Sequence, residues 1–184
     1  MIKYSDKITV DGKKFDAVLL KAEKKDAPKL KKLYGAWLEL KNGLKNFESR
    51  APNLPEGISE GAFSLEFDCP RVLDVKGTPG SYDCYNPKTH ERIQIKATTI
   101  RYDLTSFGPD SVWDVLYLLD FYRDGKFDGK FDVYKIPNDL IYGHQISKTQ
   151  TFRDQQSQGR RPRFGIKQKI IEKHNIKPIK TCQI

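Results

Sequence analysis

Apolar and polar residues alternate along this chain in two rhythms, one with a period near 3.6 and one with a period of 2. The helical rhythm starts at Asp26, a good N-cap with Pro28 just inside the first turn. Leu30, Leu33, Trp37, Leu40 and Leu44 then recur at spacings of three and four. This predicts an amphipathic helix whose intervening lysines lie on the opposite, wet face. Pro52 and Pro55 break the chain, and a second short helix is expected from about Gly57 to Phe67, capped by Ser59. Upstream, Ile8 to Leu20 fits either element, with a turn at Asp11-Gly12.

After Pro70 the rhythm shortens to two. Val72 to Val75 reads as a strand, followed by turn residues Gly77, Thr78, Pro79 and Gly80. Ser81 to Tyr85 and Arg92 to Ala97 form the two arms of an expected hairpin, joined through Asn86-Pro87-Lys88. Val112 to Tyr122 is apolar and aromatic, fit for a central strand, and Phe131 to Ile136 alternates as its partner after the turn at Arg123–Lys130. Gly143 to Gly165 is polar and rich in breakers, hence expected to be loop, and Ile166 to His174 is expected to form one last short helix. The order predicts an α/β or α+β fold, a central mixed β-sheet flanked by helices.

Composition narrows the class. A chain of 184 residues, 38% hydrophobic and 31% charged, suits one domain with a charged surface. No apolar run is long enough for a membrane span, and no apolar stretch follows a basic start as in a secretory signal. Cys69, Cys84 and Cys182 are odd in number and scattered, which argues against disulfides and points to a reducing cytoplasm. The net charge of +9 is unevenly spread. Residues 1–50 carry 13 basic and 7 acidic side chains, residues 51–140 carry 10 and 15, and residues 141–184 carry 10 and 2. Basic flanks suit a polyanion that the acidic middle would repel, a conflict resolved if the middle holds a divalent cation.

The hairpin carries the candidate chemistry. Gln94 and Lys96 are two apart and share a face, while Ile93, Ile95 and Ala97 point the other way, into the core. Asp83 can reach the Gln94 face from the adjoining strand. A carboxylate, an amide oxygen and an ammonium together suit phosphodiester chemistry with Mg²⁺, although the spacing alone also fits a solvated hairpin face. Asp83, Gln94 and Lys96, on a hairpin that follows a helix bearing Glu60, resemble the PD-(D/E)XK nuclease signature, and most closely type II restriction endonucleases. The resemblance covers roughly residues 55–165. It implies a restriction-endonuclease-like fold, with Asp83, Gln94 and Glu60 as Mg²⁺ ligands and Lys96 assisting the attacking water; Glu56 and Glu66 are rivals for the place of Glu60. Two positions depart from the pattern: Gln94 stands where Asp or Glu is usual, and Tyr82 where Pro often precedes the Asp.

The arm from Lys148 to Gly165 mixes arginine with amides, acid and hydroxyls. Arg suits guanine O6/N7, Gln suits adenine N6/N7 and Asp suits cytosine N4, so the arm is expected to read bases in the major groove. The candidate contacts are Lys148, Thr149, Arg153, Asp154, Gln155, Gln156, Ser157, Arg160, Arg161 and Arg163. The alternative is a basic loop that touches phosphates only. The expected organisation is a single nuclease domain, 1–184: an N-terminal helical, DNA-contacting part (1–50), a catalytic core (51–140) and a recognition loop with a C-terminal helix (141–184).

These readings converge on a Mg²⁺-dependent, sequence-specific endonuclease of double-stranded DNA. By the family resemblance it works in the cytoplasm of a prokaryotic cell and leaves 5′-phosphate and 3′-hydroxyl ends. One metal site per chain and a short palindrome call for a homodimer. The rivals are another nuclease of the superfamily (a repair nicking enzyme or a junction resolvase) and a non-catalytic DNA-binding regulator. No phosphate-binding glycine loop is present, so no nucleotide cofactor is expected. His90, His144 and His174 are isolated, Cys84 is expected in the core, and Asp120, Asp124, Asp128 and Asp132 read as turn or outward strand positions.

Overall fold

A computed structural model describes residues 1–78 and 80–184; of the turn residues expected at 77–80, Pro79 lies outside the described residues. The chain opens with a hairpin, β1 (Ile2–Val10) and β2 (Lys13–Lys21). Asp11 and Gly12 close it with φ of 49° and 75°, the left-handed pair that a two-residue turn between twisted strands requires. Ile8, Val10, Ala17 and Leu19 face inward, which resolves the ambiguity of this stretch in favour of strand.

Helix α1 (Ala27–Lys45) and helix α2 (Glu56–Phe67) follow. The α1 boundaries match the N-cap reading, but Asp26 makes no side-chain cap bond. Its carboxylate instead receives the N-terminal ammonium of Met1 and, at 2.9 Å, the Glu23 amide. The buried face also differs from the expected stripe. Leu30, Tyr34, Trp37 and Lys41 point into the protein, whereas Leu33 and Leu40 are 45% and 55% exposed. Both stripes satisfy helical periodicity, and docking on the sheet selects the one carrying two aromatics. Lys41, expected on the wet face, lies 3.2 Å from the Phe127 ring centre. In α2, Ser59 is an interior residue bonded to the Glu56 carbonyl, and Pro55 holds the cap position.

The strands β3 (Arg71–Val75), β4 (Cys84–Tyr85) and β5 (Arg92–Thr98) come next, then β6 (Thr105–Ser106), β7 (Val115–Asp120) and β8 (Lys130–Ile136). Two short helices, α3 (Asn138–Tyr142) and α4 (Phe152–Ser157), lead to β9 (Arg163–Phe164), a π-helical turn at Lys167–Glu172 and β10 (Lys180–Gln183). Eight strands form one mixed sheet in the order β1-β2-β3-β4-β5-β7-β8-β10, and β6 pairs with β9 apart from it. The β4–β5 pair is the expected hairpin, Cys84 opposite Ile93, and β5–β7 is the parallel pair. Beyond β4 an isolated bridge pairs Ser81 with Ser111, and at Gly80 beside it a Cβ would approach Val112 to 2.5 Å; its φ of 77° and the tight contact both call for glycine.

The sheet is covered on both faces. Tyr34, Trp37, Ile58 and Phe63 of the two long helices pack on Ile93, Ile95, Leu119 and Phe131. On the other side Phe107, Phe152, Phe164, Ile166 and Ile170 pack on Leu116 and Leu118. Phe152 and Phe164 of this second layer come from the segment expected to be loop, and Ile166 and Ile170 from the expected last helix. Thr151 and Asp154 form a reciprocal capping box that starts α4, a Thr-x-x-acid signal visible in the sequence. Asp120 is fully buried rather than outward, because Lys167 reaches it at 2.6 Å and the Tyr122 and Arg123 amides donate to it. Cys84 is wholly buried, and burial pushes its thiol up, away from nucleophilic character. No helix among the described residues is long and apolar enough to cross a membrane.

Candidate active site

Asp83 sits immediately before β4, its amide bonded to the Ile93 carbonyl at 2.9 Å. Its carboxylate Oδ2 accepts the Ile95 amide at 2.7 Å and the side-chain amide of Gln94. Asp83 and Gln94 are thus joined across the β4–β5 pair, with Gln94 only 3% exposed. Lys96, two residues on, points to the same side of β5. Its ammonium lies 5.2 Å from the Phe107 ring centre, and no carboxylate pairs with it among the described residues.

Glu60 enters from the middle of α2. Arg71, the first residue of β3, donates Nε to Glu60 Oε2 at 2.6 Å, and both side chains are largely buried. Of the rivals, Glu56 lies one turn earlier, exposed, and its charge still acts on Asp83, Glu60 and Lys96. Glu66 lies at the far end of α2, paired with Lys180 at 2.8 Å and away from the hairpin. Arg71 was not legible as a participant, since its contact arises only when α2 docks beside β3.

The electrostatics bind these residues into one site. Burial, and then the Asp83 charge, push the Glu60 carboxyl up to about 7, against the opposing pull of Arg71. Burial also raises Asp83, although the Ile95 amide and Lys96 pull it down. Lys96 is pushed down by burial and by Arg161, while Asp83 and Glu60 pull it up. Two carboxylates, Glu60 buried and Asp83 half-buried, both held above their ordinary range, make a site that gains from a cation. The donors are hard oxygens: two carboxylates and the Gln94 amide oxygen, which accepts no bond from the described residues. That set fits Mg²⁺, which keeps several waters and takes few protein ligands. Among the described residues no three His, Cys, Asp or Glu side chains cluster as a metal site.

The arm wraps back towards this site. β9 pairs with β6, Ser106 opposite Arg163, and the Pro162 carbonyl takes the Phe107 amide at 3.1 Å. Phe107 is therefore the bridge between Lys96 and the arm. Lys148, Thr149, Arg153, Ser157, Arg160, Arg161 and Arg163 are exposed, and Asp154 is exposed but engaged with Thr151. Arg153 stacks over Tyr142, and Arg160 donates to Gln150 at 2.9 Å. Gln155 is buried and donates to Gln150 at 3.4 Å, while Gln156 donates to the Ser111 and Gly108 carbonyls at 2.9 and 3.3 Å. In this conformation both glutamines hold the arm together. Of the arm's arginines, Arg161 acts on Lys96 through its charge, and Arg163 pairs with Ser106, next to Phe107.

Residues 22–173 match the family described as Bsp6I restriction endonuclease. The chain is also 38% identical over 160 residues to the type II restriction enzyme Bsp6I of Bacillus sp. (strain RFL6), covering 83% of this chain and 85% of that one. This chain belongs to the Bsp6I restriction endonuclease family. No solved structure matches it. The family match takes in both long helices, the Asp83–Lys96 hairpin, α4 and the arginines of the arm. It leaves out the β1–β2 hairpin and β10, the two outermost parts of the large sheet.

Proposed function

We propose that this restriction endonuclease cuts double-stranded DNA at a short specific sequence with Mg²⁺ held by Asp83, Gln94 and Glu60, and leaves 5′-phosphate and 3′-hydroxyl ends. The observation that carries the reading is the meeting of Asp83, Gln94 and Lys96 on one hairpin with Glu60 from α2, beside an exposed arginine arm. Bound Mg²⁺ would supply Lewis acidity towards the scissile phosphate and a more acidic water.

The protein's own residues divide the remaining work. Asp83 is oriented by the Ile95 amide, and Arg71 holds Glu60 by one oxygen, so each carboxylate keeps its other oxygen for a ligand. Lys96, its ammonium pushed down by burial, can position the attacking water, exchange a proton with it or steady charge at phosphorus. Arg161 and Arg163 set the duplex against the hairpin, with base-edge or phosphate contacts. One such site per chain cuts one strand, so two chains related by a two-fold axis would cut both.

Plasmid DNA incubated with the protein tests this reading. Discrete fragments with a common end sequence are expected in Mg²⁺ and none in EDTA. Cutting in EDTA would remove the metal from the mechanism, and random degradation would remove base readout from the arm.

A further inference from the structure

We propose that the loop joining β5 to β6, residues 99–104, is an apolar wedge that enters DNA at a base step beside the scissile bond and partly unstacks it. Ile100, Tyr102 and Leu104 are 46%, 71% and 63% exposed. Arg101 stands among them, its guanidinium 5.3 Å from the Tyr102 ring centre. Asp103, the loop's only acid, is half-buried and accepts the Thr105 hydroxyl at 3.3 Å. The outer face of the loop is thus apolar, aromatic and cationic. The backbone beneath it is pinned. The Thr98 hydroxyl donates to the Ile100 carbonyl at 2.9 Å, and the Gln168 side chain donates to the Arg101 carbonyl. A Cβ built on Gly165 would come within 2.7 Å of the Asp103 carbonyl, so the end of the arm abuts the loop. Apolar side chains held out on a fixed backbone mark a contact with a partner, and a pinned loop gives up little entropy in making it.

Position, charge and size choose DNA as that partner. Both ends of the loop adjoin Lys96: Thr98 is two residues further along β5, and Phe107, just past β6, has its ring centre 5.2 Å from the Lys96 ammonium. The ribbon that closes the loop sets Ser106 opposite Arg163 of the arm. A strand brought to the hairpin therefore passes the loop. The charge among the exposed side chains is positive, as a phosphate backbone requires. Three apolar side chains are too few for stable protein pairing, which takes roughly 800 Å² a side. They suit the wedges that DNA-bending proteins insert between base pairs, with Tyr102 stacked on a base, Ile100 and Leu104 in the opened step and Arg101 at the adjoining phosphates.

The inference rests on the reading of the hairpin as the cutting site. Its test measures binding without metal, so it can fail while Mg²⁺-dependent cleavage stands. Duplexes that the parent protein retains from a randomised pool in EDTA supply the probe, resynthesised with 2-aminopurine at successive positions. Fluorescence is expected to rise at one base step on binding the parent, and not on binding Leu104→Ala. Tyr102→Ala should weaken binding about five- to 150-fold with unchanged circular dichroism, and Tyr102→Phe, which keeps the ring, should bind as the parent does. A mismatch at the brightened step, already easier to unstack, should restore most of the affinity lost in Leu104→Ala. No rise at any position, an alanine variant that binds as tightly as the parent, or no rescue by the mismatch would overturn the proposal. So would a parent that retains no duplex, or a Tyr102→Ala variant that loses self-association and keeps its affinity for DNA.

Discussion

Replacing Gln94 by Glu probes the candidate site at its least usual position. In the free protein the Gln94 amide donates to Asp83 inside a hairpin where Gln94 is 3% exposed. Gln94→Glu deletes that bond and sets a second carboxylate against Asp83. A lost bond to a charged group and a buried like-charge contact together cost about 2–4 kcal/mol. At about 2–4 °C per kcal/mol for a chain of this size, the melting temperature in EDTA should fall by about 5–10 °C. Mg²⁺ should narrow the gap by up to about 1.4 kcal/mol without closing it, because the added charge that destabilises the empty site strengthens a cation's hold on it. An affinity gain of about tenfold, or 1.4 kcal/mol, is expected, and saturation at about 100 times the dissociation constant adds about 2.7 kcal/mol of stability. Thermal melts in EDTA and in a Mg²⁺ series, with calorimetric titration of the metal, measure both effects. A variant as stable as the parent in EDTA would show that Gln94 and Asp83 are not in contact. One destabilised in EDTA but indifferent to Mg²⁺ would show that no cation binds there.

Two further expectations follow from other parts of the fold. Lys41 is buried, with its ammonium over the Phe127 ring and only a long 3.5 Å bond to the Thr99 carbonyl; burial pushes its pKa down from 10.5 to about 8. The folded state therefore binds fewer protons than the unfolded one between about pH 8 and 10.5, so stability rises with pH across that window. Lys41→Met should stabilise the protein by about 1–2 kcal/mol at neutral pH and flatten that rise, as read by urea denaturation at several pH values; an unchanged pH slope would contradict it. Arg161→Ala should weaken binding of the cognate duplex by about 1–3 kcal/mol and relax discrimination at one base pair, in titrations against single-base variants. A uniform loss across all duplexes would move Arg161 to a phosphate.

How far the sequence anticipates this architecture depends on where the determining contacts lie. The Asp83–Lys96 hairpin and the β7–β8 pair were legible because alternation and turn residues are local signals. The outward Gln94 and Lys96 were legible too, though not that a second aromatic layer would cover them. For α1 the sequence offered two apolar stripes, and only the sheet decides that Leu30, Tyr34 and Trp37 face inward while Leu33 and Leu40 do not. The first strands were ambiguous because β1 is almost wholly exposed up to Lys7, so its polar residues obscure the alternation. α4 carried a capping signal at Thr151 and Asp154 that breaker content obscured, and β10 is too short to announce itself. Contacts such as Arg71 with Glu60 and Lys167 with Asp120 exist only once distant elements dock.

The central claim, that Asp83 holds the catalytic cation beside the scissile phosphate, is tested most directly by assaying Asp83→Ala for plasmid cleavage in Mg²⁺ and for cognate DNA binding in parallel. Cleavage should vanish while binding is kept or tightened, since a charge that repels phosphate has gone. A variant that still cuts DNA at the parent's rate would place the chemistry elsewhere in the molecule.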